Sequence, residues 1–318
     1  MPVALTYTPA GTKAFAISAT AVMPSITVTA SLTGVTVDPK SPPKFSFTAT
    51  LAFEGSNTPH GSGRNTQHDA IAAQEGPKNT YLIPFAQVRG GVLTVTVSVR
   101  VGTAPPITAV SVGLTVIGTN PSPTQIRAHA SAVGANKVRF RKQMRQESSL
   151  AQFRSSGWPK YSGDNLGGVG LCQITRPAPT PDQVWNWKDN VRAGWTLYLE
   201  KERIARAYPV SVRGGATFRA QVAAWNAQPA RKGMPAVAVI LPDYSADQLE
   251  LDTIRGFNGF AGGLHEFRVR LDARGLLVVS LDASGRSGTA EWEQVPVADR
   301  GSSGDPNYVN NVEAQADF

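Results

Sequence analysis

The chain has 318 residues, 41% of them hydrophobic, one cysteine and a formal net charge of +8. That length exceeds what one hydrophobic core usually serves, so two domains are expected. No run of about 18 apolar residues occurs, which excludes a membrane-spanning helix. A lone Cys172 excludes an intrachain disulfide and suits folding in a reducing cytoplasm.

The N-terminus, MPVALTYTPAGTKAFAISATAVMPS, has no basic segment followed by an unbroken apolar core, so it is a poor secretory signal. Residues 1–120 then alternate apolar and small polar residues with a period of two. The stretches AISATAV, SITVTASL, KFSFTATLAF, GVLTVTVSVRV and VSVGLTVIG are rich in Val, Thr and Ile, with Pro and Gly between them. Short strands at this spacing predict an all-β, immunoglobulin-like sandwich of about 100 residues. The polar run 54–80 predicts a long loop with a short helical turn. It carries His60 and His68, which lack the cysteine or carboxylate company of a metal site and are expected to lie on the surface.

GTNPSPTQ, residues 118–125, predicts a linker. Beyond it the periodicity turns helical. TQIRAHASAV, NKVRFRKQMRQES, the strong amphipathic stretch 189–208, ATFRAQVAAWNA and SADQLELDTIRGFNG predict helices, with Ser245 as an N-cap. Residues 265–297 predict strands with turns at ARG and ASG, a β insertion within a mainly α domain spanning 124–318. No internal repeat is evident.

Charge concentrates between Ile126 and Lys160, where eight Lys/Arg residues meet one acid, Glu147. A basic face attracts polyanions, among them nucleic acids and anionic cell-wall polymers. No nucleic-acid motif accompanies the charge, so no nucleic-acid partner is expected. Glu147 itself closes a helical stretch with Val138, Phe140 and Met144 as apolar neighbours. A carboxyl kept protonated by apolar surroundings can protonate the leaving oxygen of a glycosidic bond. The glycine run GGVGLCQIT follows, able to bring backbone close to a ligand.

The order of these motifs resembles the lysozyme-like superfamily of soluble lytic transglycosylases and goose-type lysozymes. The residues that carry the resemblance are Glu147-Ser148, Gly170-Leu171-Cys172-Gln173-Ile174, Asn190-Val191-Arg192-Ala193-Gly194, Phe257-Asn258-Gly259 and Tyr308-Val309-Asn310-Asn311-Val312. The resemblance implies a lysozyme-like catalytic domain over residues 124–318 and leaves the N-terminal half unassigned. It implies Glu147 as general acid and later base, and Tyr308 within hydrogen-bonding reach of it. Gln173 and Asn258, with Gly170 and Phe257 beside them, would form the sugar-binding cleft. Two departures from the family pattern are Cys172, where methionine is usual, and Phe257, where tyrosine is usual. Cys172 reads as packing rather than as a nucleophile.

The second carboxylate decides the chemistry. A transglycosylase uses one glutamate and yields a 1,6-anhydro sugar. An inverting lysozyme adds an aspartate that activates water, the two carboxyls roughly 6.5–9.5 Å apart. Asp164, the one acid between Glu147 and the glycine run, is the candidate base, with a turn residue as the alternative. Ser162 is a candidate hydrogen-bond partner of the acid. Trp158, Tyr161, Trp185 and Trp187 are candidates either for stacking on sugars or for the core.

The resemblance implies a peptidoglycan glycan strand as substrate, cut at the MurNAc–GlcNAc β-1,4 bond, with no metal and no cofactor. A wall substrate and a poor signal sequence together call for another carrier, such as a phage lysis system or a type VI secretion apparatus. An antibacterial effector of that kind implies an immunity protein as partner. The competing expectation is a non-catalytic wall-binding or structural protein of such an apparatus.

Overall fold

The computed structural model describes residues 3–57, 64–111, 113–163, 167–258, 264–301 and 304–318, without the side chains of residues 56, 57, 64 and 65. Strands dominate the N-terminal half and helices the C-terminal half. The chain divides into two compact units. The first comprises Met1–Ala135, Glu147–Gly194 and Phe318, and the second Asn136–Gln146 and Trp195–Asp317. No helix among the described residues is long and apolar enough to cross a membrane.

Among the described residues the first unit contains nine strands: β1 (Val3–Thr8), β2 (Ala14–Ile17), β3 (Thr27–Leu32), β4 (Lys44–Asn57), β5 (Arg64–Gly76), β6 (Thr80–Leu82), β7 (Gly91–Arg100), β8 (Ile107–Val110) and β9 (Leu114–Gly118). They form a three-stranded sheet in the order β1-β3-β6 and a six-stranded sheet in the order β2-β9-β7-β4-β5, with β8 also on β7. Pairing is antiparallel except between β2 and β9.

Alternation explains the burial. In β7, Leu93, Val95, Val97 and Val99 are inside while Thr94, Thr96 and Ser98 stay half-exposed. Each such valine contributes about 1.5–3 kcal/mol by leaving water. Val28 of β3, Tyr81 of β6 and Phe47 of β4 join the same core, so both sheets bury one face together.

Residues 64–76 are a strand, not the loop that their polar composition predicts. β5 pairs with β4 from Phe45–Gly76 to Asn57–Arg64, with two irregularities in register. His68 sits on this strand opposite Ala52. His60 lies outside the described residues.

The Pro/Ser-rich segment is anchored rather than a free tether. Gly118 N–H donates to the Gly157 carbonyl at 2.8 Å. The Asn120 amide clasps the Phe153 backbone, donating to its carbonyl at 2.9 Å and accepting from its N–H at 2.8 Å. Helix α1 (Pro123–Ala132) then starts from a capping box between Ser122 and Gln125.

Residues 147–194 share the core of the sheets through Phe153, Val184 and Trp185. Gly90 makes room for this, because a Cβ there would stand 2.2 Å from the Trp185 ring. Trp185 and Trp187 are buried, and their indole N–H groups donate to Glu54 and Ala19 carbonyls, both at 3.1 Å. Tyr161 is buried too. Trp158 packs edge-on to Trp185 with ring centres 5.7 Å apart. Their surroundings make Tyr161, Trp185 and Trp187 core residues rather than sugar platforms.

The remaining helices are α2 (Val138–Ser148), α3 (Pro181–Trp185), α4 (Trp187–Gly214), α5 (Ala216–Asn226), α6 (Ala246–Arg255) and α7 (Tyr308–Glu313). Ser245 caps α6 through a capping box with Gln248. In the second unit, Phe140 of α2 packs on Trp195 and Tyr198 of α4, with ring centres 5.3 and 5.5 Å away.

The β insertion is present. β11 (Phe267–Val269) pairs with β14 (Trp292–Gln294), while β12 (Val279–Leu281) and β13 (Ser287–Ala290) form a sheet with the earlier strand β10 (Ala238–Ile240). β10 precedes residues 265–297 in the chain, and β11–β14 lie within them. Gly275 and Gly285 take φ of 77° and 65° at the two predicted turns, a conformation in which glycine meets no Cβ penalty.

The basic stretch of α2 is largely neutralised inside the second unit. Arg139 pairs with Asp247, Glu250 and Glu313, Lys137 with Glu250, and Arg141 with Asp317. The Lys142 ammonium donates to the Glu313 carbonyl at 2.8 Å. Charge read along the chain therefore overstates the field these residues offer to a polyanion.

Candidate functional site

In the first unit, the last turn of α2 and the glycine run meet. Ser148 is buried, and its hydroxyl donates to the Leu171 carbonyl at 2.9 Å. The Lys160 ammonium donates to the Ser148 carbonyl at 2.6 Å, a cation where the helix dipole favours one. Glu147, half-buried, precedes Ser148. Burial first, and the charge of Glu147 whenever that carboxyl is ionised, push the buried thiol of Cys172 well above the ordinary cysteine range. Cys172 is thus a protonated packing group beside the carboxylate and carries no nucleophile's activation.

Two buried amides shape the glycine run. Asn190, on α4, accepts from Cys172 N–H at 2.9 Å and donates to the Val169 carbonyl at 3.0 Å. Gln152 accepts from Leu171 N–H at 3.1 Å and donates to the Val184 carbonyl at 2.8 Å. Both side chains are fully buried, where an amide that lost its partners would cost about 1–3 kcal/mol per orphaned group. Gly170 is required between them. A Cβ there would lie 2.3 Å from Gln152 Oε1 and 2.6 Å from Asn190 Nδ2, and its φ is +73°.

Backbone strain gathers at the same place. Ser149, Leu150 and Gln173 have φ of 54°, 61° and 45°, and only Ala21 joins them among described non-glycine residues. Such conformations cluster where surrounding structure holds a functional loop. The Gln173 amide nitrogen donates to the Gly170 carbonyl at 2.8 Å, fixing the side chain across its own turn. Ser162 closes the preceding loop, its N–H donating to the Gly168 carbonyl at 2.7 Å and its hydroxyl accepting from Gly168 N–H at 3.1 Å. Asp164 and Gly259 lie outside the described residues.

Glu147, Ser162, Gly170 and Gln173 belong to the first unit, and Phe257, Asn258 and Tyr308 to the second. Phe257 packs against the cluster of Ile254, Tyr308, Val309 and Val312. The Asn258 amide is taken up by backbone, accepting from Asp305 N–H at 2.9 Å and donating to the Asp305 carbonyl. Tyr308 is buried, and its hydroxyl accepts from the Gln143 amide at 3.2 Å.

Nothing in the sequence marks Gln152 or Lys160 for this role, and Asn190 stands out only as part of a motif. Their partners are backbone atoms 7 to 32 residues away, which no local pattern announces. Among the described residues, no group of three or more His, Cys, Asp or Glu side chains is arranged to hold a metal ion.

No protein-family model matches the chain, and neither the curated proteins nor the solved structures include a significant match.

Proposed function

We propose that the protein is a glycosidase that cleaves the MurNAc–GlcNAc β-1,4 bond of peptidoglycan, with Glu147 as its general acid. The observation that carries this reading is the junction of the α2 terminus with the glycine run, tied by Ser148 Oγ to the Leu171 carbonyl at 2.9 Å. A catalytic acid needs a fixed position beside a wall that can present sugar. Glu147 has the rigid last turn of a helix, and the wall is a loop braced at two buried amides. Gln173 follows, its Oε1 making no hydrogen bond to another described residue and so available to a sugar hydroxyl or N-acetyl N–H.

In the same reading the two sheets of the first unit form an immunoglobulin-like sandwich that docks or targets the enzyme. Support comes from the common core of both sheets and their mainly antiparallel pairing. Delivery as an antibacterial effector or a phage-type lysin belongs to this proposal, with an immunity protein or an apparatus component as partner.

The test is digestion of purified peptidoglycan followed by mass spectrometry of the fragments. Products ending in 1,6-anhydro-MurNAc make the enzyme a one-glutamate transglycosylase and leave Asp164 a turn residue. Products carrying an added water make it a lysozyme and give Asp164 the role of base. No cleavage by folded protein overturns the enzymatic reading and leaves a wall-binding protein.

A further inference from the structure

A concave site lies in the first unit, made of none of the residues around Glu147. Its volume is about 460 Å³, and it is lined by residues of β4 and β5 and by the irregular segment that carries Pro84, Phe85, Ala86, Gln87 and Arg89. That size is within the range of small-ligand sites. The floor is apolar, from Leu51, Ile71 and Phe85, and three polar side chains converge on it: Asp69, Gln87 and Arg89.

The polar groups are built rather than incidental. Arg89 is buried, with its guanidinium carbon 4.9 Å from the Phe53 ring centre. Its Nη1 donates to both oxygens of Asp69 at 3.1 and 2.9 Å, and its Nη2 to Asp182 at 3.1 Å. Its Nε is buried with no hydrogen-bond partner among the described residues. Asp69 remains partly open, at 37% side-chain exposure. Gln87 is exposed and its amide makes no hydrogen bond to another described residue.

These groups select a class of ligand. In the lining one guanidinium meets one carboxylate, and Asp182, outside the lining, also pairs with Arg89, so the site offers no excess positive charge to a phosphate or carboxylate. Asp69 offers acceptors to hydroxyl groups, and Gln87 offers an amide that can pair with another amide. Phe85 and Ile71 offer an apolar surface to the C–H face of a ring or to an acetyl methyl. We propose that this concavity binds a neutral N-acetylated sugar unit. The choice of sugar rests on the glycan reading of the Glu147 site, whereas the concavity and its charge do not. Its role would be to hold the enzyme on a glycan strand through a unit that is not being cut.

The test is calorimetric titration of the full-length Glu147→Gln protein with the soluble N-acetylglucosamine trimer, with cellotriose as the unacetylated control. Binding of the acetylated trimer over cellotriose, weakened about tenfold or more by Gln87→Ala and by Phe85→Ala, is the expected result. Gln87 is exposed and makes no hydrogen bond to another described residue, so its loss does not threaten the fold. Absence of trimer binding, equal binding of cellotriose, or binding indifferent to both substitutions overturns the proposal. Preferential binding of an amine-bearing wall stem peptide, competed by neither sugar, overturns it too and makes the site a peptide pocket. Peptidoglycan cleavage by the unsubstituted protein is read separately. Cleavage with no trimer binding sinks this site alone, and trimer binding without cleavage sinks the catalytic reading alone.

Discussion

The side chain of Asn190 holds the backbone of Cys172, accepting its N–H at 2.9 Å while its own amide donates to the Val169 carbonyl at 3.0 Å. One residue thus sets the path of the loop beside Glu147 from both directions. Asn190→Leu keeps the branched outline in a larger side chain, removes all three side-chain bonds and leaves the buried Cys172 N–H without its acceptor. The expected cost is about 2–5 kcal/mol in denaturant unfolding. Asn190→Asp keeps the acceptor but turns a buried carboxyl oxygen toward the Val169 and Gln183 carbonyls, so it should cost at least as much.

Gly170 is the tightest point of that loop. Gly170→Ala must fit a Cβ 2.3 Å from Gln152 Oε1 at a φ of +73°. About 2–4 kcal/mol of destabilisation is expected, measurable as a lowered melting temperature. An equal loss from Gly134→Ala is not expected, since a Cβ there meets nothing within 4 Å. That position has φ of +78° and so reports the backbone cost alone.

Cys172 provides a chemical readout. Its thiol is buried and held protonated by burial and, whenever that carboxyl is ionised, by the charge of Glu147. In the native protein it should resist a thiol-specific disulfide reagent near neutral pH, and in denaturant it should react at the rate of a free cysteine. Cys172→Ala should retain peptidoglycan cleavage while losing stability. Loss of cleavage with stability intact would give the thiol a chemical part that its environment argues against.

His129 carries a pH signature in the first unit. Burial lowers its pKa first. The bond of its Nε2–H to the Lys188 carbonyl at 3.0 Å and the charge of Asp189 oppose this, while Arg192 and Lys188 add to it. With the folded pKa below the unfolded value of about 6.5, its contribution to stability is complete above that pH. It is lost as the pH falls through the folded pKa. Denaturant midpoints for the unsubstituted protein should fall over this window more steeply than those for His129→Asn. Parallel profiles would contradict the burial of this imidazole in the folded state.

The strands and helices were legible where local chemistry decided them. The alternation of Leu93, Val95, Val97 and Val99 is written in β7, and Ser245 with Gln248 announces the start of α6. β5 was not legible. Its sequence, RNTQHDAIAAQEG, has one β-branched apolar residue and reads as loop, yet β4 supplies a partner along its length. The site divides in the same way. Glu147 and the glycines stand out, because helix ends and left-handed turns have residue preferences. Gln152, Asn190 and Lys160 act on backbone atoms distant in sequence, and only the folded chain brings those together. Charge was misleading for a related reason. The bases of α2 read as an open basic face, and their carboxylate partners lie more than 100 residues downstream.

The central claim is that Glu147 gives up a proton to a glycosidic oxygen. It is tested most directly by the rate at which Glu147→Gln releases soluble fragments from purified peptidoglycan, set against the unsubstituted protein at equal folded concentration. Glutamine keeps the shape and removes the acid. A fall of about 10²–10⁴-fold with an unchanged melting temperature is predicted. Release at the original rate by the folded variant would contradict the assignment and with it the proposed chemistry.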